Sequence, residues 1–168
     1  HSSPRRQRQM CIRDRNKCLF VKNYNPEKLS FDKPNNIAIL NVECGNVIIE
    51  LYPNISPNAV ERFKTLVRSK AYDDVAFHRV IKDSLVQAGD LEFGKKGNID
   101  YGKIGTGQSG LGTINSEIDV PFNYERGSVG LARTQKYNTE DSQFFVTLKD
   151  EPLYESCLLY TSDAADED

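Results

Sequence analysis

The chain lacks the marks of a metal enzyme, a membrane-spanning protein or a nucleic-acid binder. Its four cysteines, Cys11, Cys18, Cys44 and Cys157, form no CxxC pair and adjoin no histidine cluster, so the ligand spacing of a structural zinc is missing. The same scatter provides no disulfide framework. No apolar run approaches the roughly 20 residues of a membrane helix. A formal charge of -2 offers no basic surface to phosphates, and the basic residues of the middle are interleaved with acids. The expectation is therefore no metal, no nucleic-acid partner and no membrane span. What is present is ordinary for a globular domain: 168 residues, 38% hydrophobic and 10% aromatic, enough for one core.

Both ends differ from the middle. Residues 1–15 carry five arginines and almost no apolar periodicity, and residues 157–168 run into an acidic tail. They resemble translated adapter sequence around a gene fragment, or disordered charged arms, and we expect neither to belong to the fold. Residues 16–36, with Pro26 and Pro34, read as a lead-in, and the domain proper is expected over 37–156. No signal-peptide pattern opens the chain; cytoplasm is favoured over periplasm, with the compartment left open.

Apolar, β-branched runs at about 37–42, 45–51, 76–81, 85–89, 127–132 and 143–148 predict six strands. Ser56-Pro57 opens a helix, with Ser56 expected to cap the free amides and Pro57 in the first turn. Val60, Phe63, Leu66 and Val67 then recur at helical spacing. Such a stripe suits the open end of a small barrel. Seven of the eleven glycines fall between Gly94 and Gly112, which predicts a loop. Within it Gly105 to Gly110 matches GxGxxG, but no hydrophobic strand precedes it and no helix follows, so a dinucleotide site is rejected.

The chemistry-bearing stretch is Phe77 to Asp90, FHRVIKDSLVQAGD: two short strands around a Lys82-Asp83-Ser84 turn, hence a hairpin. Alternation puts Leu85 and Gln87 on one face. In Ser142-Gln143-Phe144-Phe145-Val146 it puts Gln143 and Phe145 on one face and Phe144 on the other, so that one phenylalanine is expected in the core and the other not. Arginine, leucine and glutamine make no nucleophile and no acid-base pair. They make an apolar pocket with hydrogen-bonding markers. Taken alone, Arg79 could equally snorkel to solvent, and His78 reads as a packed strand histidine.

FHRVI, VQAGD and SQFFV, in this order, resemble the cyclophilin family of peptidyl-prolyl cis/trans isomerases over roughly Asn36 to Ser156. The resemblance implies a mainly β fold: a closed or partly closed antiparallel β-barrel capped by an α-helix, here with the last two strands and second helix missing. The Ile37 and Gln143 strands would then each lack a partner and leave edges prone to aggregation. It further implies Arg79 as the catalytic residue and Leu85, Gln87, Ala132, Arg133, Gln143 and Phe145 as the substrate groove. The implied partners are proline-containing peptides and unfolded or partly folded proteins, with no cofactor, and a monomer if the protein is complete. The pattern departs in three places. Arg133 stands where many members have Asn, Tyr137-Asn138 where Pro-Asn is common, and Ser84 where a large aromatic usually forms a pocket wall. A proline-peptide-binding or chaperone-like module with little turnover, and a fragment without function, are the alternatives.

Overall fold

The computed structural model describes residues 25, 28–43, 45–118 and 123–151, and the backbone of 157–160. It divides into two compact units, His1–Ile49 and Glu50–Asp168. In the first, a 3-10 turn at Pro34–Asn36 leads into β1 (Ile37–Val42), which pairs with β2 (Gly45–Glu50).

The second unit holds the helix and the main sheet. Helix α1 (Pro57–Arg68) buries Ala59, Val60, Phe63 and Leu66 along one stripe, the spacing that an amphipathic helix requires. Its N-terminus differs from expectation. Ser56 makes no capping bond, and its hydroxyl is buried with no partner. The carboxylate of Glu117 takes that place, accepting from the Asn58 and Ala59 backbone N–H groups, each at 3.0 Å. A charged acceptor at the positive end of the helix dipole outcompetes a neutral hydroxyl. The other end closes as a Schellman motif: Ala71 N donates to Leu66 O, Lys70 N donates to Val67 O, and Lys70 takes φ +58°.

Strands β3 (Arg79–Ile81), β4 (Leu85–Ala88), β5 (Val129–Leu131), β6 (Phe144–Thr147) and β7 (Cys157–Tyr160) form one antiparallel sheet in the order β3-β4-β6-β5-β7. Two expectations are corrected here. The strand after Gln143 is not an unpaired edge, because β6 lies between β4 and β5. The chain's end was expected outside the fold, yet Cys157–Tyr160 pairs with β5 through a register shift between Val129 and Gly130. Residues 1–15, 152–156 and 161–168 lie outside the described residues.

Register assigns the two faces of the sheet, since residues directly opposite one another share a face. Ala88 and Leu131 both lie opposite Phe144. This is the helix face: Phe144 meets Phe63 edge-on at 5.5 Å and Tyr72 at 5.4 Å, and Phe63 lies 5.2 Å from Tyr72. Burying each such ring stabilises by about 1.5–3 kcal/mol. Burial pushes the Tyr72 phenol far above its usual range, with the nearby Asp141 charge adding to the effect, and its protonated hydroxyl donates to Ser142 O at 2.8 Å. The opposite face carries Arg79, Leu85, Gln87, Gly130, Phe145 and Thr147. Phe145 is therefore not the exposed member of the Phe144-Phe145 pair. Both rings are buried, at 3% and 5% exposure, because the central strand is covered on both faces.

Candidate active site

Arg79 lies directly opposite Gln87 in the β3–β4 hairpin, and its guanidinium donates to Gln87 Oε1 at 3.3 Å. Gln87 Nε2 donates to Gln143 Oε1 at 2.9 Å. Gln143 Nε2 in turn donates to two carbonyls of the glycine-rich loop, Gly105 O at 3.0 Å and Gly107 O at 2.9 Å. Two glutamines that register places on one face of neighbouring strands thus join into one continuous relay ending on an arginine. Arg79 is exposed, so its remaining donors face solvent or a ligand. Guanidinium is donor-only and always charged, which suits it to polarise an acceptor and not to exchange protons.

Beside the relay, Leu85, Phe145 and Tyr124 form one apolar cluster with Ala132 packed against it. The Tyr124 and Phe145 rings lie 5.5 Å apart. Gly130 permits this, since a Cβ there would collide with the Tyr124 hydroxyl and lie 2.9 Å from Phe145 Cζ. Ala132 is tied in by its backbone, its N–H donating to Gln143 O at 2.7 Å. Six of the seven expected residues, Arg79, Leu85, Gln87, Ala132, Gln143 and Phe145, are brought together in this way. Arg133 behaves differently. Its guanidinium stacks over Tyr137 at 4.7 Å and donates to Thr134 O at 3.1 Å and Gln135 O at 3.4 Å, so its side chain braces its own loop. Ser84 donates to Glu151 Oε1 at 3.0 Å.

Sequence reasoning passed over Asp90, which is fully buried. One oxygen accepts from the N–H groups of Glu92 at 3.1 Å and Phe93 at 2.8 Å. The other accepts from Gly105 at 2.6 Å and Gly107 at 3.0 Å. Burial by itself raises this carboxyl's pKa, but the four backbone bonds outweigh it and hold the group below the usual range. The available signal was a carboxylate set immediately after a strand and just ahead of a glycine-dense loop. Tyr124 was missed as well, and it carried no signal in a run without periodicity.

His78, next to Arg79, is half-buried and its pKa is lowered, chiefly by burial and against the attraction of Asp90. Neither ring nitrogen meets a partner at hydrogen-bond geometry, although Gln143 and the Ala76 backbone come near enough to favour the charged ring slightly. Among the described residues no three His, Cys, Asp or Glu side chains are grouped to hold a metal ion. No helix among them is long and apolar enough to cross a membrane.

The family model described as cyclophilin type peptidyl-prolyl cis-trans isomerase/CLD matches residues 37–160. A probable peptidyl-prolyl cis-trans isomerase of Brucella suis is 43% identical over 122 residues, covering 71% of this chain and 61% of the relative. A peptidyl-prolyl cis-trans isomerase of Streptomyces antibioticus is 33% identical over 111 residues, with 66% and 61% covered. The chain thus spans 61% of the length of these curated relatives. Among solved structures, a cyclophilin type isomerase of Cryptosporidium parvum aligns at a TM-score of 0.58 with 29% identity, over 69% of this chain and 68% of that one. A cyclophilin of Hirschia baltica aligns at 0.60 over 83% and 71%; at 21% identity it speaks for the fold alone. With a family model covering most of the chain, close relatives of one kind and the expected sheet and helix in place, the chain belongs to the cyclophilin-type peptidyl-prolyl cis-trans isomerase family.

Proposed function

We propose that this chain acts as a peptidyl-prolyl cis/trans isomerase on X-Pro bonds of peptides and of unfolded or partly folded proteins. The observation that carries the reading is the placement of Arg79. Its guanidinium is held by Gln87 on the same sheet face as the Leu85–Phe145–Ala132 cluster. A proline ring resting on that cluster would bring its amide nitrogen towards the arginine.

The reaction needs no bond cleavage. Amide resonance sets a rotation barrier of ~18–20 kcal/mol, and that resonance is lost as the bond twists and the nitrogen becomes pyramidal. A donor that bonds the nitrogen lone pair only in the twisted state lowers the barrier selectively, by about tenfold in rate per 1.4 kcal/mol. Arg79 supplies the donor, Leu85 and Phe145 the apolar seat, and Gln87 and Gln143 fix the arginine. The Ala132 N–H is already given to Gln143 O and the Arg133 side chain is turned to its own loop, so an extended peptide would meet this segment through its other backbone groups.

The test is NMR exchange spectroscopy on an Ala-Pro-containing peptide. Exchange between cis and trans resonances should accelerate with the protein, and Arg79→Ala should lower kcat/KM by roughly ten- to a thousandfold. The fold should be unaffected, because the side chain is exposed. Equal turnover by the alanine variant sinks the catalytic assignment.

A further inference from the structure

Amide side chains are reversible: a glutamine can turn its oxygen and nitrogen end for end at little cost unless its partners forbid it. In the relay of Gln143, Gln87 and Arg79 the two ends are not equivalent. The Gly105 and Gly107 carbonyls only accept, so Gln143 must present its NH2 to them. Its oxygen then faces Gln87, which must answer with its own NH2. The oxygen of Gln87 is thereby left facing the guanidinium. The polarity of the whole chain is decided at the loop.

The loop's orientation is decided in turn by Asp90. A carboxylate only accepts, and Oδ2 takes the N–H groups of both Gly105 and Gly107, so these two residues turn their donors to Asp90 and their carbonyls to Gln143. Glycine is required for this closeness. A Cβ on Gly107 would collide with Asp90 Oδ1, and Gly105 adopts φ +97° with His78 Cδ2 3.5 Å from where its Cβ would be. Oδ1 is fixed by Glu92 and Phe93, so the carboxylate cannot swing away. Four residues thus separate a buried anion from the exposed cation whose position it sets.

Resting on the isomerase reading above, we propose that Asp90 is a positioning residue for Arg79, acting through the Gly105–Gly107 loop and the one-way hydrogen-bond relay of Gln143 and Gln87. Asp90→Asn places an NH2 group against either the loop pair or the Glu92–Phe93 pair. In the first case the loop carbonyls lose their aim and Gln87 is free to turn over.

The experiment is a double-mutant cycle on kcat/KM with Asp90→Asn, Arg79→Ala and both together, accompanied by peptide affinity and a thermal melt. Asp90→Asn should lower kcat by about tenfold with peptide Kd nearly unchanged, and should have no further effect once Arg79 is alanine. An equal loss in both backgrounds, or a loss confined to affinity, overturns the proposal. If Asp90→Asn does not fold, Gly107→Ala enters the same cycle, since it pushes the loop off the carboxylate and keeps every relay side chain. If the wild-type protein shows no turnover at all, the isomerase reading has failed and the relay is judged separately. Asp90→Asn or Gly107→Ala should then still shift the Arg79 guanidinium and the Gln87 and Gln143 side-chain amide resonances. Unmoved resonances dismiss it.

Discussion

Glu117 closes the N-terminus of α1 from a distant loop: its Oε1 accepts from both the backbone N–H and the side-chain NH2 of Asn58, at 3.0 and 2.8 Å. Its second oxygen takes the Ala59 N–H at 3.0 Å. The helix is therefore fastened to the segment that follows the glycine-rich loop, and a local cap has been replaced by a long-range one. Glu117→Ala should destabilise the protein by about 1 kcal/mol, within the range of 0.5–2 for cap deletions. Ser56→Ala should cost nothing or stabilise, because it removes a buried hydroxyl without a partner. Urea denaturation of the two variants checks both, and a reversed order would restore Ser56 as the cap.

That substitution marks where the sequence stops being legible. Strand periods, the helix stripe and the FHRVI, VQAGD and SQFFV strings point to the hairpin, the helix and most of the residues that the structure gathers in the candidate site, because each is a local pattern. Glu117 meeting Asn58, or Asp90 meeting Gly105 and Gly107, is a matter of loops folding back, and loops have no period to read. The two phenylalanines teach the same lesson in another way. Alternation correctly put Phe144 and Phe145 on opposite faces, but whether a face is covered depends on what packs there. Phe63 and Tyr72 cover one face and Tyr124 the other. Strand β7 was discounted on composition, yet it pairs with β5.

Ser84 stands where a large aromatic was expected as a groove wall, and the structure gives the hydroxyl a duty of its own. It donates to Glu151 at 3.0 Å, while Ser84 O accepts from Leu148 N at 2.6 Å, so the residue fastens the turn after β3 to the segment after β6. Ser84→Ala should cost about 1 kcal/mol of stability and leave peptide affinity alone. Ser84→Phe should cost at least as much in stability while tightening a proline peptide through new apolar contact. Calorimetric titration beside a denaturation curve separates the two effects. A phenylalanine variant that binds no better than the serine protein would mean that the groove does not pass this position.

His78 supplies a pH dependence whose sign is fixed by its surroundings. Burial lowers its pKa from the ordinary 6.5, so the folded protein prefers the neutral ring. Below 6.5 the unfolded chain binds a proton that the folded chain still refuses, and stability therefore rises with pH across this window. The contribution is complete above 6.5 and is lost as pH falls from there towards the lower folded value. Carboxylates with ordinary pKa values of about 4 scarcely titrate in that interval, and His1, the other histidine of the chain, is common to wild type and variant, so their difference isolates His78. Its size is moderated by partial exposure of the ring. The measurement is the melting temperature at a series of pH values between about 7 and 5 for wild type and His78→Gln. Wild type should lose more stability than the variant as the solution is acidified, because glutamine has no proton to gain. Parallel curves would show that the imidazole titrates alike in both states and that burial does not govern it.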